Sequence, residues 1–154
     1  MFGKPVKEYL SIQKWWLVAL VVVGLLRIGL SIGGPTSPSV KWWTSTNLLG
    51  YAAAVYYGVA GHRRGFLYKQ LYPLVLFHVI VFHALAILGI LLTIAGYPNL
   101  YATPEVTAFP NQWWHLGAHL TLGMVFAPLF GWALASLAML VARALAPRTV
   151  PATS

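Results

Sequence analysis

From Tyr72 to Ala95 the chain runs for 24 residues without an Asp, Glu, Lys or Arg. A helix needs about 20 predominantly apolar residues to cross a hydrocarbon core, so this stretch is a membrane span by length alone. Three further apolar runs, Trp15–Ile32, Trp42–Val59 and Trp113–Val141, accompany it. Even the shortest, rising about 1.5 Å per residue, reaches about 27 Å as a helix. In lipid the backbone must satisfy its own hydrogen bonds within each segment, which makes the runs helices. Composition agrees: 59% of the 154 residues are hydrophobic and 8% charged, whereas a soluble domain carries about 25% charged residues. A disordered chain shows the opposite profile.

The connections between the runs are rich in turn formers. Gly33-Gly34-Pro35-Thr36-Ser37-Pro38-Ser39 follows the first, Gly61-His62-Arg63-Arg64-Gly65 the second, and a longer loop from Gly96-Tyr97-Pro98-Asn99 to Pro110-Asn111 the third. Short connections imply antiparallel neighbours. The expected fold class is therefore an all-α integral membrane protein, an up-down-up-down bundle of four transmembrane helices. Residues 1–147 form one domain and 148–154 a short flexible tail. The first run lies close to Met1 behind several charges and lacks an A-x-A-like site, so it reads as a retained span and not as a cleaved signal.

Ten Lys and Arg stand against two acids, Glu8 and Glu105, for a formal charge of +8. Position explains this excess better than a polyanion partner does. Lys4, Lys7 and Lys14 precede the first span, Arg63, Arg64 and Lys69 lie between the second and third, and Arg143 and Arg148 follow the fourth. In an alternating topology these eight residues share one side, and Lys41 alone faces the other. Cytoplasmic loops are enriched in Lys and Arg, so both termini are expected in the cytoplasm of a multi-pass inner-membrane protein. The basic side would also attract anionic headgroups, and nucleic acid is not expected as a partner. Six of the seven Trp come as pairs at span starts, 15–16, 42–43 and 113–114, where interfacial anchoring is the expected role.

Small residues recur at intervals of four in Gly50, Ala54 and Gly58 and in Ala127, Gly131 and Ala135. Such stripes let helices approach closely in lipid, within one bundle, in a homo-oligomer or against a larger membrane complex. Pro128 cannot donate to the carbonyl of Met124, so a kink is expected in the fourth span.

Ionisable groups inside a membrane are costly and mark candidate sites. They are Arg27, His78, His83, His115 and His119. His115 and His119, four apart, share one helix face, a spacing that suits two metal ligands or a cofactor stripe, with Glu105 as a further ligand for a metal. A metalloprotease of the H-E-x-x-H type is excluded because Leu116 follows the first His. His78 and His83, five apart, lie about 140° apart around a helix and face different neighbours. His83, near mid-span, is the costliest to leave unpaired. Arg27 either snorkels to the outer interface or needs Glu105, a carbonyl or an anionic ligand. Depth groups it with Asn47, Tyr51, His115 and His119 as an expected outer polar cluster beneath the loop Tyr97–Gln112.

The absence of Asp and Cys, of an intramembrane Glu, of a P-loop and of a G-x-S-x-G elbow excludes several catalytic classes, and no enzyme is expected. The favoured reading is a non-catalytic subunit or scaffold of a membrane assembly. The alternatives are a redox module holding haem b or a quinone through intramembrane His and a small oligomeric channel or transporter. Counting helix rise from the span ends puts His83 and His119 about 10 Å apart in depth, which weighs against a shared haem.

Overall fold

A computed structural model describes residues 2–32, 43–97 and 111–146. The Gly33–Ser39 turn, Lys41, Trp42, Glu105, the 98–110 part of the loop, Arg148 and the 148–154 tail lie outside the described residues. Within them the structure is all-helical, 88% helix with no strand. Three helices are long and apolar enough to cross a membrane: α1 (Val6–Ile32), α3 (Tyr68–Ile94) and the continuous helix Gln112–Leu145. The last comprises α4 (Gln112–Ala118), a π-helical turn (His119–Gly123) and α5 (Met124–Leu145). A fourth, shorter helix, α2 (Thr46–Arg63), packs against α1, α3 and α5 and most extensively against α5.

Local chemistry sets the helix ends. Ser45 Oγ accepts from Leu48 N at 3.3 Å and starts α2, and Asn111 Oδ1 accepts from Trp113 N and Trp114 N at 3.0 and 3.2 Å and starts α4. Both caps satisfy amides that have no partner inside the helix. Gln70 Oε1 reaches back to Leu67 N at 2.8 Å at the start of α3. Helix α2 carries on through Gly61, His62 and Arg63, so the turn expected at 61–65 falls at Arg64–Leu67 instead. It closes through Phe66 N donating to Gly61 O at 2.8 Å, with Gly65 at φ +65°, a conformation glycine adopts without strain.

Helix α1 starts nine residues before the apolar run because its first turns have protein to bury against. Tyr9 and Ile12 are buried, and Tyr9 packs edge-on against Phe66 with centroids 5.4 Å apart. Lys4 Nζ donates to Arg64 O at 3.5 Å, Gln70 Nε2 to Phe2 O at 2.6 Å, and Arg143 Nη2 to Phe66 O at 3.2 Å. The start of α1, the α2–α3 turn and the end of α5, where most of the basic residues lie, thus meet at one end of the bundle.

The burial pattern is inverted relative to a soluble bundle. Gln13, Thr46, Gln70, His78, His83 and His115 are buried, while Val22, Phe126, Leu129 and Phe130 are exposed. Apolar side chains therefore cover the outer face as well as the core, the arrangement a hydrocarbon solvent requires. Small residues bring the helices together: a Cβ on Gly58 would stand 2.1 Å from Ala135 O, and one on Gly131 would stand 2.6 Å from Val75 Cγ1. The irregularity in the last helix lies just before Pro128. The wide turn spans His119–Gly123, and regular α-helix resumes at Met124, whose carbonyl is the one Pro128 cannot bond.

Candidate functional site

Two polar arrangements are built into this apolar frame. The first joins α3 to the π turn and α4. His83 Nδ1 lies 2.7 Å from His119 Nδ1, and His119 Nε2 lies 3.1 Å from His115 Nε2. His115 Nδ1 lies 3.4 Å from Gln112 Oε1. The rings meet at centroid distances of 4.9 Å for both pairs. The i, i+4 spacing brings His115 and His119 together, as their shared face requires, and Gly123 admits His83: a Cβ there would stand 2.3 Å from His83 Cε1. The 10 Å offset expected between His83 and His119 does not exist. It assumed that the third and fourth spans end level, whereas His119 lies only seven residues from the start of the last helix and His83 eleven from the end of α3. The last helix therefore begins deeper in the bundle.

His119 bonds to one neighbour through Nδ1 and to the other through Nε2, so the three rings form a row and do not converge on a point. Among the described residues no group of three or more His, Cys, Asp or Glu is arranged to hold a metal ion. Of the residues expected to bind a metal, His115 and His119 are paired to each other and Glu105 is outside the described residues.

The second arrangement is a cavity of about 280 Å³ between α2, α3 and α5. Gly50, Ala54, Tyr57, Val75, His78 and Val79 line its depth, and Asn47, Tyr51, Phe126 and Phe130 stand exposed at its mouth. His78 Nδ1 lies 3.2 Å from the hydroxyl of Tyr57, both residues being buried, and His78 Nε2 has no partner. The proton arrangement follows from counting unmet groups. If the Tyr57 O–H donates to Nδ1, the pair leaves one unmet group, the Nε2–H. If Nδ1–H donates to the Tyr57 oxygen, the hydroxyl hydrogen and a bare Nε2 are both left. An unmet buried group costs about 1–3 kcal/mol, so the first arrangement holds and His78 presents a donor. Gly50 faces His78 Nε2, which is buried: a Cβ there would stand 3.7 Å from that nitrogen, at ordinary van der Waals contact.

Arg27 does not snorkel: it is 8% exposed, and its Nη1 donates to Thr44 O at 3.1 Å. The members of the expected outer cluster are thus distributed. His115 and His119 join His83, Asn47 and Tyr51 rim the His78 cavity, and Arg27 ties α1 to the segment before α2. Tyr57 and Gln112 are polar partners that sequence reasoning missed. Tyr57 read as an apolar ring beside Tyr56, and the signal that could have found it is that a buried His78 requires a partner. Compared with known proteins, the chain matches no family model, no curated protein and no solved structure.

Proposed function

We propose that the protein is a four-span membrane protein with both termini in the cytoplasm, and that it binds a quinone-class compound, an apolar body with a carbonyl head, in the cavity beside His78. The observation that carries this reading is the buried His78 Nε2, a ring nitrogen without a hydrogen-bond partner on a residue that lines a mostly apolar cavity. Ligand sites usually combine apolar walls with few fixed polar groups and begin near about 300 Å³. A cavity of about 280 Å³ fits one ring-sized head and opens past Tyr51 and Phe130, so a lipophilic tail can leave toward lipid.

The same geometry favours a quinone over haem b. Two axial nitrogens must leave room for an iron between them, and His83 and His119 stand at hydrogen-bond distance with no such gap. The quinone reading also gains on the scaffold reading. Gly58 and Gly131, the small residues that reading offers to a partner, are used inside the chain against Ala135 and Val75.

The test is equilibrium binding of a short-tailed benzoquinone to the protein in lipid nanodiscs. Saturable binding is expected for the natural sequence. Loss of a charge-free hydrogen bond plus cavity reshaping in His78→Leu should weaken it about ten-fold or more. Equal affinity in the two proteins, or no saturable binding at all, overturns the reading.

A further inference from the structure

We propose that the groove between α2 and α5 at the basic end of the bundle binds an anionic phospholipid, one acyl chain lying in the groove and the phosphate held by Arg63 and His62. The sequence builds the groove by setting small residues beside large ones. Helices α2 and α5 touch where Gly58 meets Ala135 and Ala138. Beyond that contact Ala138 and Ala142 are too small to fill the space beside Val59. What remains is an apolar groove of about 700 Å³ that ends at His62 and Arg63. It shares no lining residue with the cavity beside His78.

Length and charge select the occupant. From Leu134 to Leu145, the last residue of α5, the groove follows the helix for about 16 Å at about 1.5 Å per residue. One leaflet supplies half of a hydrocarbon core about 30 Å thick. The groove therefore matches the depth of one layer of acyl chains, with its polar end at the interface. Arg63 needs an anion there. Arg64 donates to Ser11 Oγ, Arg143 donates to Phe66 O and covers the Tyr68 ring, and Glu8, the only acid among the described residues, pairs with Lys4 at 3.1 Å. Arg63, exposed at the end of α2, is left without a counter-anion among the described residues. Its guanidinium presents five N–H donors in a planar fork that fits phosphate oxygens, and His62 adds another.

A second copy of the chain suits the groove less well than a lipid does. Copies inserted in one membrane share an orientation, so a neighbour would bring its own Lys4, Lys7, Arg64 and Arg143 to the level of Arg63 and repel it. A zwitterionic headgroup carries a cation beside its phosphate and gains less from Arg63. Basic pockets between membrane helices are a known form of anionic headgroup site. The inference needs the chain to lie in a bilayer, and it is independent of the quinone reading and of which compartment the basic end faces.

The experiment is native mass spectrometry of the full chain released from detergent micelles and titrated with phosphatidylglycerol or with phosphatidylcholine of the same acyl chains. Expected is one saturable adduct per chain, with phosphatidylglycerol bound about ten-fold more tightly or better. Arg63→Gln should weaken phosphatidylglycerol about ten-fold or more, because charge-assisted bonds to its phosphate are lost. Lys7→Gln removes the same charge from α1, outside the groove, and should leave the affinity unchanged. Ala142→Phe keeps every charge but fills the groove, and should weaken phosphatidylglycerol as Arg63→Gln does. Equal affinity for the two lipids, an equal loss in Lys7→Gln and Arg63→Gln, full binding by folded Ala142→Phe, or a dimer that excludes lipid overturns the proposal. Benzoquinone binding should not change in Arg63→Gln, so this proposal and the quinone reading can fail separately.

Discussion

Tyr57 sets what His78 offers to the cavity, and its effect is separable from that of His78. Replacing Tyr57 with Phe removes the hydroxyl whose oxygen lies 3.2 Å from Nδ1 but leaves the edge-on ring contact and the imidazole in place. The histidine then loses the bond that fixes its tautomer, and its proton divides between Nδ1 and Nε2. A net hydrogen bond is worth about 0.5–1.5 kcal/mol, so benzoquinone binding in nanodiscs should weaken about two- to ten-fold, less than in His78→Leu. A Tyr57→Phe loss as large as that of His78→Leu would mean that the hydroxyl itself touches the ligand. At this scale the sequence was most informative about which residues are costly and least about their partners. His115 and His119 could be paired from spacing alone, because both sit on one helix. His83 could not be paired with His119, nor His78 with Tyr57, because those contacts depend on the relative depth of two helices, which no local pattern encodes.

Between elements, the closest approach is that of α2 to α5 at Gly58. A methyl group there would stand 2.1 Å from the carbonyl oxygen of Ala135, and the atom it meets is backbone, which cannot rotate away. Gly58→Ala should therefore force the two helices apart and cost about 1–3 kcal/mol, seen as a lower unfolding midpoint in detergent. Gly29→Ala, where a Cβ meets nothing within 4 Å, is the control and should leave the midpoint unchanged or slightly higher. The apolar runs made the helices legible, and the four-residue stripes made Gly58 and Gly131 legible as contact points. The ends were less so. Helix α1 reaches back to Val6 because Tyr9 and Ile12 are buried against the α2–α3 turn, a tertiary contact that a search for continuous apolar runs passes over. The π turn was likewise hidden: Pro128 announces an irregularity in the fourth span, and no local pattern places one at His119–Gly123.

For the whole molecule, the distribution of charge and the packing of the ends support one orientation. The segments that meet through Lys4–Arg64, Gln70–Phe2 and Arg143–Phe66 contain seven of the ten basic residues, Lys4, Lys7, Lys14, Arg63, Arg64, Lys69 and Arg143. Translocating that end would carry many cations across the bilayer, so the proposed topology, following the positive-inside preference, has it in the cytoplasm. The opposite end begins α4 with Trp113 and Trp114, both exposed, as rings anchored at the far interface are. Because the chain contains no cysteine, single cysteines report on sidedness without background. Lys69→Cys, at the basic end, should react with a membrane-impermeant maleimide only in inverted vesicles. Asn111→Cys is unsuitable there because Asn111 caps α4, whereas Trp113→Cys should react only in intact spheroplasts. Labelling of both from the same side would refute the four-span topology, since α3 would then fail to separate the two ends. Labelling of each from the unexpected side would keep the topology and invert the orientation.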